Sequence, residues 1–121
     1  MKYYLKKIIY YWLNYINLFL PKHWAVILLY HSIDSDGLYL SVSRKKFEKQ
    51  MEFLSAGGYS VISLSKLYEL LENKKTIPPK TVVLTFDDGF RSHLYNALPV
   101  LEKYNFPATF FLSTDYLVGF I

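Results

Sequence analysis

The chain has 121 residues, with 14 basic and 10 acidic side chains, a formal net charge of +4 and no cysteine. That length holds one small domain and falls well short of the roughly 250 residues of a complete α/β barrel. A hydrophobic content of 52% argues against disorder, and the missing cysteines exclude disulfides and thiolate metal sites. The basic excess is concentrated at Lys2, Lys6 and Lys7, and no later stripe is dense enough to argue for nucleic acid.

Residues 1–21 read as a separate piece. At helical spacing, Leu5, Ile8, Ile9, Trp12, Ile16, Phe19 and Leu20 share one broad face. Lys6, Lys7, Tyr10, Asn14 and Asn17 fall on the opposite arc, with Lys2 at the border and Leu18 out of place. Pro21 ends this amphipathic helix, because the residue before a proline is pushed out of helical geometry. Three readings stay open: a helix lying on an anionic membrane surface, a signal sequence or uncleaved anchor, and a helix that packs on its own domain. Asn14 and Asn17 interrupt the apolar run. A full membrane span wants about 20 clean apolar residues.

From Lys22 onward, residues 22–121 alternate strand and helix. Trp24 to Tyr30 is a continuous apolar run suited to a strand buried on both faces. Ser32 to Gly37 is loop. Ser43 is placed to cap a helix carrying Phe47, Met51 and Leu54, which Gly57 and Gly58 end through left-handed geometry. Tyr59 to Ile62 is a short strand. Leu64, Leu67, Tyr68 and Leu71 mark a second helix, and Pro78 and Pro79 stiffen the polar loop after it. Thr81 to Phe86 is the third strand. Leu94, Ala97, Leu98, Leu101 and Tyr104 mark a third helix with a local irregularity at Pro99 and a left-handed cap at Asn105. Ala108 to Leu112 is a fourth strand. Such alternation predicts a parallel α/β sheet, open or closed into a barrel.

In such folds the working face lies at the C-terminal ends of the strands. Asp87 and Asp88 follow the third strand directly, and His31 follows the first. Adjacent carboxylates repel unless a cation stands by them. A divalent metal would resolve the conflict, with one Asp as ligand and the other free as a base. Gly89 lets the backbone turn and a substrate come close. A plain turn or helix cap also explains Asp87-Asp88-Gly89, and a lone His31 also fits a structural hydrogen-bonder. His93 is expected to face solvent, His23 carries no assignment, and Asp34 and Asp36 read as turn residues. Arg44-Lys45-Lys46 reads as a solvated helix face, since no Gly-rich phosphate loop is present.

Four segments together resemble one family. They are Leu29-Tyr30-His31-Ser32-Ile33; Phe47 to Leu54 leading into Gly58-Tyr59; Thr81 to Gly89; and Leu98 to Phe111, including Pro107-Ala108-Thr109-Phe110-Phe111. The chain resembles the polysaccharide deacetylases, the NodB-like carbohydrate esterases, and Thr85-Phe86-Asp87-Asp88-Gly89 is similar to the family's first motif. The resemblance implies the first half of a deformed (β/α) barrel and a hydrolase that removes N-acetyl groups from an amino-sugar polymer. It implies Asp87 as general base, Asp88 as ligand of a divalent metal (zinc or similar), and His31 as an active-site neighbour. It also implies an N-acetylated polysaccharide as substrate and a membrane-associated or extracellular place in the cell envelope. The family's His-x-x-x-His ligand motif, its later Arg- and Pro-Tyr-bearing motif and its final acid histidine have no counterpart in this sequence. The expectation is therefore an incomplete, inactive deacetylase segment with an unpaired sheet edge and an open core. The alternative is a non-catalytic membrane-surface or interaction module that keeps the first half of the fold.

Overall fold

The structure is a computed structural model and describes residues 23–35 and 39–114. The expected N-terminal helix, and with it the division at residue 21, lies outside those residues, as does Asp36. In chain order the elements are β1 (Ala25–Tyr30), α1 (Arg44–Ala56), β2 (Ser60–Val61), α2 (Leu64–Glu72), β3 (Thr81–Phe86), a π-helical turn (His93–Ala97), α3 (Leu98–Tyr104) and β4 (Thr109–Phe110). The expected strands are all present, although β2 and β4 are only two residues each.

β3 is the centre of the sheet, and all six of its residues are buried. β1 pairs with it in parallel along its full length, from Ala25 opposite Thr81 to Tyr30 opposite Phe86. β2 pairs with its start and β4 with its end, both also parallel. In a parallel strand, backbone groups of alternate residues point to alternate edges. The carbonyls of Lys80 and Val82 accept from β2 and its flank, and that of Phe86 accepts from Phe111 N, so β2 and β4 share the edge opposite β1.

The same alternation sorts the side chains. On one face, Leu28, Tyr30, Val82, Leu84 and Phe86 pack against Phe47, Met51 and Leu54 of α1 and Val100 and Leu101 of α3. Tyr30 stacks on Phe86 with ring centroids 5.2 Å apart, and Phe47 meets both rings edge-on at 5.1 and 5.8 Å. Glu48 and Lys103 close the seam between α1 and α3 at 2.9 Å, and the ammonium holds the Glu48 carboxyl below its ordinary range. On the opposite face Val83 and Thr85 are buried, but Ile27 and Leu29 are 51% and 56% exposed. Parallel sheets are normally covered on both faces. Among the described residues, then, this second face is open beside β1, and the outer edge of β1 has no partner strand. α2 lies over this face, leaving a hollow of about 730 Å³ bounded by Ile27, Leu67, Leu71 and Thr109.

The helix ends follow local chemistry. Ser43 and Ser63 accept from Lys46 N and Lys66 N, each satisfying a donor of the first turn. Gly58 alone takes the left-handed geometry expected of the Gly57-Gly58 pair (φ +65°), and Gly57 remains right-handed. Asn105 is left-handed, as expected. The irregularity at Pro99 is the π turn before it: Leu98 N reaches back to His93 O because a proline supplies no N–H and crowds the preceding turn.

Phe47 is fully buried among these rings. Phe47→Ala is expected to cost about 3–5 kcal/mol, a large share of the about 5–15 kcal/mol total of a small domain, read from urea unfolding. Tyr30 donates to Gln50 Oε1 at 3.0 Å, and burial pushes its phenol up from 10.0 to about 12. The fold therefore favours the protonated phenol. This contribution is intact below pH 10 and is lost as pH rises through about 12. Tyr30→Phe is expected to remove about 2–3 kcal/mol of alkaline destabilisation over that window, measured as a flatter dependence of the unfolding midpoint on pH.

Candidate active site

The ladder between β1 and β3 brings the sequence's candidate residues to one end of the sheet. Asp87 N donates to Tyr30 O at 2.9 Å, which carries the ladder one residue past the end of β3. His31 and Asp87 thus leave the sheet side by side. The chain then turns sharply. Asp88 has φ +69° and Gly89 φ +64°. Asp is among the few non-glycine residues that enter this region readily, and such residues gather at functional turns. The positive φ favours glycine at position 89, and a Cβ there would stand a tight 3.0 Å from Leu112 Cδ2.

The turn presents Asp88 outward. Its Oδ2 lies 3.9 Å from His31 Nε2, with the two side chains 51% and 24% exposed. Both line a cleft of about 280 Å³ with Ser32, Tyr39, Leu40, Ser41 and Phe90. Asp87 is half-buried at the rim of the sheet, and among the described residues no hydrogen bond or ion pair holds its carboxylate. Larger, mostly apolar hollows exist: one of about 460 Å³ lies between Trp24, Phe53 and Tyr59 on the helix-covered face, and one of about 410 Å³ adjoins the turn, bounded by Gly89, Phe90, His93 and Phe110. The smaller cleft is the one that His31 and Asp88 both line.

His93 corrects its sequence-based expectation. It is 5% exposed rather than solvent-facing, with its ring against Phe86, Phe90 and Phe110. Its Nε2 donates to His31 O at 2.6 Å, and its buried Nδ1 has no partner among the described residues. The expectation failed because the helix enters under the end of β1, so its first turn faces the core. Two neighbours act alongside it. Ser92 Oγ accepts from Ile33 N at 3.1 Å, and Asn96 Nδ2 donates to Ile33 O at 2.8 Å. Sequence reasoning did not find Ser92 or Asn96. The one available signal was their i, i+4 spacing on the helix side that also carries buried Ala97. The remaining candidates behave as read. Asp34 Oδ1 accepts from Ser35 N in a turn, Arg44, Lys45 and Lys46 are exposed, and His23 lies 3.3 Å from Ile77 O.

A catalytic zinc generally takes three protein ligands. Among the described residues, no group of three His, Cys, Asp or Glu side chains comes together. His31 and Asp88 are a pair, so the described residues do not complete a resident metal site. What they offer is a half-buried carboxylate free to take a proton, a second carboxylate presented to the cleft, and an imidazole beside it.

A family model described as polysaccharide deacetylase matches residues 74–119. The chain is 41% identical over 86 residues to the Bacillus subtilis (strain 168) protein named "Putative polysaccharide deacetylase YxkH", covering 71% of this chain and 30% of that protein. It is 31% identical over 91 residues to the poly-β-1,6-N-acetyl-D-glucosamine N-deacetylase of Escherichia coli (strain K12), covering 73% of this chain and 14% of the relative. Among solved structures, IcaB from Ammonifex degensii superposes with a TM-score of 0.68 at 31% identity, covering 74% of this chain and 38% of that one. The chain thus spans less than a third of the length of these two curated relatives. Its parallel sheet and flanking helices are a part of the NodB-like barrel. On the matching sequence, the shared fold and the carboxylate turn at the end of β3, the chain belongs to the polysaccharide deacetylase family.

Proposed function

We propose that this chain supplies the base-bearing segment of an enzyme that removes N-acetyl groups from an amino-sugar polymer, releasing acetate and leaving the free amine. The observation that carries the reading is the meeting of His31 and Asp88 at 3.9 Å, one residue beyond an unengaged Asp87, at the strand ends of a deacetylase fold. Amide hydrolysis needs a base to take a proton from the attacking water as the carbonyl carbon turns tetrahedral. Asp87 is that base: it is anchored by its own N–H, and its carboxylate is free. Asp88 is the oxygen donor this segment would contribute to a divalent ion, which supplies Lewis-acid polarisation when bound. His31 stands beside it as a group able to carry a proton.

The substrate class rests on the relatives, one of which is named for poly-β-1,6-N-acetyl-D-glucosamine. A polymer of that kind supports a location at the cell envelope or outside the cell. Among the described residues no helix is long and apolar enough to cross a membrane. The basic, aromatic residues 1–20 are the part suited to an anionic membrane surface.

Acetate release from an N-acetylglucosamine oligomer tests the reading. The chain alone is expected to release none, because its described residues gather two candidate donors rather than three. Joined in frame to the region of the B. subtilis relative that follows the matched segment, it is expected to become active. In that fusion Asp87→Asn should lower turnover by about 10²–10⁴-fold, and Asp88→Ala should abolish metal dependence and turnover together. A fusion whose turnover is indifferent to Asp87→Asn would overturn the role of the base. Deleting residues 1–20 is expected to abolish co-sedimentation with anionic lipid vesicles, and unchanged binding would count against the surface role.

A further inference from the structure

Loop residues just past a strand end usually leave their backbone groups to solvent. His31 to Ile33 do not. His31 O accepts from His93 Nε2, Ile33 N donates to Ser92 Oγ, and Ile33 O accepts from Asn96 Nδ2. The partners lie 59 to 63 residues along the chain, on the helical segment that starts at Arg91, just after the Asp88-Gly89 turn. The strand end that carries His31 and the turn that carries Asp88 are therefore tied twice: once by the ladder through Asp87 N, and again by these three side chains.

The identity of His93 shows which part of it matters. Its ring packs on three phenylalanines, which a phenylalanine at this position could also do. The imidazole instead buries Nδ1 without a partner, an unfavourable arrangement that an aromatic hydrocarbon would avoid. The compensating gain lies in the Nε2–H bond to His31 O, which also requires the Nε2–H tautomer.

We infer that Ser92, His93 and Asn96 are positioning residues: they fix the backbone of His31 to Ile33 and so hold the His31 imidazole at Asp88. This role rests on reading His31 and Asp88 as site residues, but its test uses no turnover. In the full chain at one fixed pH, Asp88→Asn is expected to shift the His31 ring signals in carbon-proton NMR spectra. That response should survive in His93→Gln, which keeps an N–H donor, and be lost in His93→Phe, which keeps only the ring packing. Long-range nitrogen-proton spectra of the unmodified chain should show His93 protonated at Nε2. Retention of the response in His93→Phe, or its loss in His93→Gln, overturns the inference. If His93→Phe does not fold, Asn96→Ala decides: faster hydrogen exchange at Ile33 and a weakened His31 response support the role, and no change in either overturns it. An intact response in a fusion that releases no acetate would count against the deacetylase reading alone and leave the positioning role standing.

Discussion

The parallel register between β1 and β3 is the constraint on which the rest of the molecule depends. It pairs Tyr30 with Phe86 and so brings the residues after them, His31 and Asp87, to the same level. A shift of one residue would turn every side chain of β1 to the other face. Leu28 and Tyr30 would leave the core shared with α1 and α3, and His31 would leave the cleft. The register is enforced from below the site by Tyr30, Phe47 and Phe86, whose rings interlock at 5.1 to 5.8 Å. Core packing and site geometry are thus set by the same pairs of residues.

The site itself balances two opposed demands. A strand buried over all six residues is the right base for a rigid site and the wrong neighbourhood for a negative charge. The chain answers by leaving the sheet at once. Asp87 keeps only its backbone in the ladder, and Asp88 takes left-handed geometry that carries its carboxylate out toward water. Gly89 completes the turn with a positive φ of +64° that glycine adopts without strain. The helix after the turn then reaches back through Ser92, His93 and Asn96 to the end of β1. Carboxylate turn, helix start and β1 loop form one hydrogen-bonded unit at the mouth of the sheet.

The open sheet face beside β1, opposite α1 and α3, belongs to the same picture. Ile27 and Leu29 are apolar residues on the central stretch of a parallel strand, and more than half of each is exposed among the described residues. The sequence of β1 is that of a strand covered on both sides. Its family relatives are several times longer than the matched segment.

Much of this was legible without coordinates, because the signals are local. Continuous apolar runs marked β1 and β3, Ser43 marked the start of α1, apolar spacing marked α2, and Asn105 marked a left-handed end. The short strands were read too long, since only two residues of each find a partner on β3. His93 was misread, and Ser92 and Asn96 went unseen, because their partners are backbone groups about 60 residues away and a backbone group leaves no trace in residue identity. By itself the sequence determined the elements, the family likeness and the residues that can carry chemistry, since these depend on side-chain type and short-range spacing. Only the tertiary structure decided that His31 meets Asp88, that His93 is buried beneath them and that the described donors number two, because those facts depend on register and on contacts between distant parts of the chain.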